Sequence, residues 1–204
     1  PVMNLVQPAF FVRLWRTSRP EAVIAVITAI ATLISAPQLQ WGVLVGFILS
    51  LSYFMYGRAH PRIIEVGVHE DGTLRDRARF SLGALAPDVL AVRMDAALSF
   101  VTATPLEHFI MTRVRADASI KRVLIYAGPI NSIDTTGVDT LSYLVGNLRE
   151  QGVEVYLAGL KKQVEDVLVA SGAMKVITPS NLFRTEREAI HSLVLPAGVA
   201  AQGH

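Results

Sequence analysis

Cysteine is absent from all 204 residues, which excludes both a disulfide framework and a thiolate metal site. The five histidines, His60, His69, His108, His191 and His204, are scattered, with no spacing suited to a metal ion or a catalytic triad. Neither a G-x-G-x-x-G nor a Walker loop occurs, so the glycine-rich cradles that hold phosphates are missing. A net charge of +2 is too small to argue for nucleic acid, and no basic stripe with interleaved aromatics supplies a surface for it. Residues 1–20 lack the basic start, apolar stretch and small-residue cleavage site of a secretory signal. Asp95 and Asp134 could approach at strand ends, but two carboxylates without a pocket or a base read as caps. No catalytic residue, metal ligand or cofactor follows from these residues, and the expectation is a non-enzyme.

Charge is scarcest before Arg62, and that unevenness decides the class. Hydrophobic residues make up 51% of the chain, and two nearly uncharged runs, residues 22–36 and 41–56, lie in its first part. Charged residues recur every few positions after Arg62. A membrane-associated first part and a soluble second part follow. Pro37-Gln38-Leu39-Gln40 joins the two runs. An arm of roughly 16 residues is about 24 Å long at 1.5 Å per residue, short of the roughly 30 Å hydrocarbon core. The lengths therefore predict a tight hairpin of two short helices, supported by neighbouring protein, rather than two independent crossings. Arg13, Arg16 and Arg19 precede it and Arg58 and Arg62 follow, while the turn has no arginine. The positive-inside tendency puts both outer ends in the cytoplasm.

Two further features belong to this part. Gly42-Val43-Leu44-Val45-Gly46 is a G-x-x-x-G, and Ala22, Ala25, Ala29 and Ala36 line one side of the first arm with small groups. Small residues let helices approach closely, so Gly42 and Gly46 are the expected packing positions. Residues 8–19 mix Phe10, Phe11, Leu14 and Trp15 with three arginines. Such a segment suits either a membrane interface or a surface helix packed on protein.

In the second part, residues 122–127 are a short β-branched and aliphatic run that fits a sheet core. From Asp134 the period changes, with Val138, Leu141, Leu144, Val145 and Leu148 forming one apolar helical face. Between them lies Asp134-Thr135-Thr136-Gly137. Asp and Thr are good N-caps, and the first-turn amides with the helix dipole could hold an anion or phosphate ester there. Around this core, residues 62–68, 89–94 and 153–158 read as strands, residues 174–177 as a short last strand, and residues 69–86 as a loop or weak hairpin. Thr104-Pro105-Leu106-Glu107 and Thr185-Glu186-Arg187-Glu188 have the pattern of capping boxes. Leu106, Phe109, Ile110 and Val114 supply the buried face after the first, Ile190 and Leu193 after the second. Val164, Val167 and Leu168 mark a further helix, closed by Ser171-Gly172. Strands alternating with helices imply a small α/β sheet, and the expected domains are 1–60, 61–195 and a flexible tail at 196–204.

This order of elements, with the Asp134-Thr135-Thr136-Gly137 turn, resembles the STAS domain, a module shared by sulfate permease-type anion transporters and bacterial anti-sigma factor antagonists. Asn4-Leu5-Val6, Phe11-Val12-Arg13-Leu14-Trp15-Arg16, Glu21-Ala22, Trp41-Gly42-Val43-Leu44-Val45-Gly46 and Ala158-Gly159-Leu160-Lys161 together look like the C-terminal end of a sulfate permease (SulP) family transporter. The resemblance implies an α/β STAS-like domain preceded by a short transmembrane hairpin, and a secondary anion transporter of the sulfate or bicarbonate type. The chain would supply the last two segments of the gate and a STAS domain serving regulation, assembly or dimer contacts. The first residue, Pro1, suggests that the numbering begins inside a longer polypeptide.

The implied partners are the remaining transmembrane segments, a second copy, a cytoplasmic regulatory protein and the lipid bilayer, with the STAS domain on the cytoplasmic side of a bacterial inner membrane. The substrate site of that family lies between broken helices of the core, so no residue here is nominated as substrate-binding. In the antagonists a Ser after the Asp of this turn is phosphorylated. The aligned residue here is Thr135, close in sequence to Asp134 and Asp139, which disfavour added negative charge. A second reading, a membrane-tethered signalling module whose turn binds a partner protein or nucleotide, stays open at this point.

Overall fold

The computed structural model describes residues 8–194, with side chains from residue 12 onward. The Asn4-Leu5-Val6 stretch, the rings of Phe10 and Phe11 and the expected tail at 196–204 lie outside the described residues. The chain divides between Arg58 and Ala59 into two compact units.

The first unit is helical: α1 (Pro8–Thr17), α2 (Arg19–Ile34) and α3 (Leu39–Ala59). Pro20, beside the first residue of α2, suits the opening turn, where a missing N–H costs nothing. The α2 arm has 16 residues, the expected length, although it opens at Arg19 and ends at Ile34 rather than matching the run 22–36, but α3 has 21 and begins at Leu39, within the expected turn. That corrects the expectation of two short arms, because 21 residues reach about 31 Å. By length and composition α3 can cross a membrane. The helix runs on because Gly57, Arg58 and Ala59 continue its hydrogen bonding past the last apolar residue, before Pro61. Leu33, Ile34, Phe47, Ile48 and Phe54 are all more than half exposed, so the apolar surface of both arms faces outward. A helix apolar on its outside is stable only where its surroundings are apolar too.

The second unit is a six-stranded mixed sheet in the order β2-β1-β3-β4-β5-β6. Its strands are β1 (Ile63–Val68), β2 (Leu74–Asp76), β3 (Val89–Met94), β4 (Arg122–Tyr126), β5 (Glu154–Ala158) and β6 (Leu182–Phe183). The first two form an antiparallel hairpin, β1 runs antiparallel to β3, and the rest are parallel. Between parallel strands run α4 (Ala103–Ala116), α5 (Thr135–Glu150) and α6 (Lys162–Ala170), and α7 (Glu186–Val194) follows β6. Each crossover advances the sheet in the same direction, so α4, α5 and α6 share one face. Strand residues alternate accordingly. Leu90, Val92, Val123, Ile125, Val155 and Leu157 meet Ile110, Leu144, Leu148 and Leu168 of these helices. Val89, Ala91, Leu124 and Ala158 face the other way, onto Ala189 and Leu193 of α7. Leu144 and Leu148 are almost wholly buried, and truncating either to Ala costs about 2–5 kcal/mol.

Three local expectations need correction. Residues 174–177 form no strand: a 3-10 turn (Ala173–Lys175) follows Gly172, whose φ of +77° turns the chain, and the amides of Val176 and Ile177 both bond Ala173 O. The last strand is instead Leu182–Phe183, paired with β5. Thr104 is not the cap of α4, which starts at Ala103, two residues earlier than expected. Thr102 is the N-cap, its hydroxyl donating to Ala97 O at 2.6 Å and accepting from Ser99 N at 2.9 Å, so it fixes the entering loop. In the second capping box the Thr185 hydroxyl accepts from Glu188 N at 3.2 Å, but the Glu188 carboxylate accepts from Arg184 N rather than from Thr185 N.

Candidate functional site

The Asp134-Thr135-Thr136-Gly137 turn stands at the carboxyl edge of the sheet, where β4 hands over to α5. From Tyr126 the chain passes along the strand ends: Ala127 N donates to Ala158 O, and Asn131 takes hydrogen bonds from Lys161 and Gln163 at the start of α6. Buried Ile133 then pairs with Leu98 in an isolated parallel bridge. This bridge brings the loop after β3 against the start of α5.

Asp134 closes that contact. Its Oδ1 accepts from Gly137 N at 2.8 Å, the N-cap bond of α5, and its Oδ2 accepts from Phe100 N at 3.0 Å. Asp134 N donates to Leu98 O at 3.1 Å. Gly137 is required for the approach, because a Cβ there would collide with Leu98 O. The far end of α5 is closed as firmly. Val153 N reaches Leu148 O and Gly152 N reaches Arg149 O, with Gly152 at φ +75°, the paired bonds of a Schellman ending.

Thr135 and Thr136 are exposed, and their amides are orphan donors of the first turn. The Asp134 carboxylate already places a negative charge at this positive helix end, which lowers the attraction left for a second anion. The residues expected together are thus together, but the geometry is that of a strut between two loops. Sequence spacing gave no sign of Phe100, which lies 34 positions before Asp134. Asp95 does not pair with Asp134: it takes a bidentate contact from Arg93, at 2.7 and 3.0 Å.

In the first unit, Gly42 and Gly46 are the buried positions of α3. Their partners are Thr32 and Thr28 of α2. Ala29 and Ala36 are exposed, so the small-residue face of α2 is Ala22, Ala25, Thr28 and Thr32. Both threonine hydroxyls bond back to the carbonyl four residues earlier, Ile24 O at 2.7 Å and Thr28 O at 2.8 Å. Satisfied in this way, they pack as small apolar groups. Sequence reading missed them because Thr looks polar until its hydroxyl is accounted for.

In an open groove of about 470 Å³ beside β1 and α4, Glu65 is held between Arg77 at 3.0 Å and Arg113 at 2.8 Å. Among the described residues no cluster of three His, Cys, Asp or Glu is placed to hold a metal ion.

Residues 85–189 match the family model of the STAS domain. Over nearly the whole chain there is similarity to curated sulfate transporters. Sulfate transporter 1.1 of Arabidopsis thaliana is 21% identical over 199 residues, 93% of this chain and 30% of its own length. A Mycobacterium tuberculosis protein named "Probable sulfate transporter" is 25% identical over 192 residues, 93% of this chain and 34% of its own length. The chain thus spans about a third of the length of the curated relatives it matches. Among solved structures, the murine Solute Carrier 26 family member A9 anion transporter in its inward-facing state superposes with a TM-score of 0.78. That likeness has 16% identity and covers 94% of this chain and 31% of the transporter, and it shows a shared fold.

Proposed function

This chain belongs to the STAS domain family, and from that premise we propose that it is the C-terminal part of a secondary anion transporter of the sulfate permease kind. The carrying observation is the order of parts: two outward-apolar helices packed on glycine stand directly before the STAS sheet, and similarity to sulfate transporters runs through both. Outward apolar surface on α2 and α3 suits a bilayer and the remaining membrane segments of the same transporter. The arginines at the outer ends favour a cytoplasmic second unit. The domain limits follow as residues 1–60 in the gate and 61–195 as the STAS domain.

The STAS domain then acts in assembly, contact with a second copy, or regulation. The Asp134-Thr135-Thr136-Gly137 turn serves that role as a rigid corner rather than as a phosphorylated switch. A non-enzymatic part fits the engagement of Glu65, Asp95 and Asp134, each already committed to cations or amides.

The experiment is sulfate uptake by bacteria that lack their own sulfate transport, expressing the full-length protein that carries this chain. Restored uptake, lost when residues 22–56 are deleted, is the expected result. Membrane-inserted protein that moves neither sulfate, bicarbonate nor a dicarboxylate refutes the reading.

A further inference from the structure

Four arginines of the first unit, Arg13, Arg16, Arg19 and Arg58, have no carboxylate partner among the described residues. The sequence supplies almost none, since Glu21 is the single acid before Arg62. In the second unit six of the eleven arginines, Arg62, Arg75, Arg77, Arg93, Arg113 and Arg122, each hold a carboxylate. Among the described residues the first unit therefore carries four arginines against one acid, an excess of positive charge.

The helix pairing gathers that charge at one end. Thr32 faces Gly42 and Thr28 faces Gly46, an antiparallel register. Continued outward, it brings Arg19 level with Met55, less than one turn short of Arg58. Arg13 and Arg16 lie exposed on α1, which packs against α2 at the same end. Trp15 is exposed among them, and the Arg58 guanidinium sits 4.6 Å over the Phe54 ring. The opposite end, around Leu33, Ile34 and Leu39, is apolar, exposed and without a cation. Guanidinium groups beside aromatic rings, at one end of a lipid-facing hairpin, match the depth and charge of acidic phospholipid headgroups.

We infer that this arginine cluster is a binding site for acidic phospholipid, the phosphate of the headgroup being held by guanidinium groups from both α1 and the outer ends of α2 and α3. The inference rests on the membrane reading proposed above. It adds a ligand class and named residues to it.

The test places the full chain in nanodiscs of phosphatidylcholine and phosphatidylglycerol and counts the lipids retained by native mass spectrometry after detergent stripping. Phosphatidylglycerol should be enriched at least about threefold over its bulk ratio. Enrichment should vanish in the quadruple variant R13Q/R16Q/R19Q/R58Q and persist in the matching lysine variant, whose charge is intact. No enrichment in the unaltered chain, or equal enrichment in the glutamine variant, overturns the site. If sulfate strips the lipid while chloride at equal ionic strength does not, the ligand is a dissolved anion and the lipid assignment falls. A chain that never enters the nanodisc refutes the membrane reading with it, whereas one that enters without lipid preference refutes the lipid site alone.

Discussion

Asp134 Oδ2 lies 3.0 Å from the backbone nitrogen of Phe100, so the side chain that caps α5 also holds the loop after β3. Removing it should cost more than an ordinary N-cap. Loss of a cap costs about 0.5–2 kcal/mol, and a hydrogen bond to a charged acceptor contributes a further 1.5–3 at most. Asp134→Ala should therefore destabilise the second unit by about 2–5 kcal/mol, and Asp134→Asn by less, since its amide oxygen can still serve the cap. Urea unfolding of the detergent-solubilised chain, followed by circular dichroism, measures both. Equal midpoints for the two variants and the parent would show that the corner is not held by this carboxylate.

Gly42 and Gly46 make unequal demands on α2. A Cβ on Gly42 meets the Thr32 backbone, which cannot yield, whereas one on Gly46 meets the Thr28 side chain, 2.5 Å from Cγ2, which can turn. Gly42→Ala should lower the thermal midpoint in detergent more than Gly46→Ala. Gly46→Arg has a different effect, because a central arginine costs about 2.5–3.5 kcal/mol on membrane insertion. Its expected outcome is loss from the membrane fraction, read by fractionation and immunoblot.

Asp88 and Arg122 tie the start of β4 to the loop before β3 through two contacts of 2.7 Å. The guanidinium holds the Asp88 carboxyl below its ordinary value, and Asp88 in turn raises Arg122. A depressed acid contributes its stability above the unfolded value, about 3.9, and loses it as pH falls through the lower folded value. Unfolding midpoints measured from pH 5 downward should fall less steeply in Asp88→Asn than in the parent. The pair is only partly buried, so the difference will be modest.

Tyr156 is a second titration marker, on the face covered by α7. Burial first, then its 2.6 Å hydrogen bond to Glu154, push its phenol up to about 12. A raised folded value favours the neutral form, so its stabilisation is present below about 10 and is lost as pH rises toward 12. Phenolate absorbance, taken as the difference between the parent and Tyr156→Phe, should show this late transition. Glu154→Gln should bring it to lower pH.

How much of this was legible in the sequence depended on the length of each signal. The strand, turn and helix around Asp134 were readable because the apolar period changes from strand to helix within a few residues, and five helix positions agree on one face. β6 was not readable, since two residues carry no period and only its pairing with β5 defines it. The stretch at residues 174–177 looked like a strand, yet Arg149 Nη2 of α5 donates to Val176 O at 2.7 Å and Ile177 is buried in the core from a tight turn. Thr102 and Phe100 were missed for a shared reason. Both lie in the loop after β3, where no period marks the folded path: Thr102 bonds back to Ala97 and Ser99, and Phe100 meets Asp134 across 34 positions.

Thr135 offers the sharpest separation between a strut and a switch at the same corner. Its side chain is exposed and makes no hydrogen bond among the described residues, while Asp134 precedes it and Asp139 follows one helical turn on. A phosphate here would be drawn by the helix end but repelled by both carboxylates, one of them already placed on that dipole. If the corner is purely a strut, Thr135→Ala and Thr135→Glu should leave sulfate uptake by the full-length protein within about twofold of the parent, with unfolding midpoints shifted by no more than about 0.5 kcal/mol. Asp134→Ala should impair both. A Thr135→Glu variant that folds normally yet changes uptake severalfold would mean that charge at this position is read by a partner, and the turn would then have to be treated as regulatory.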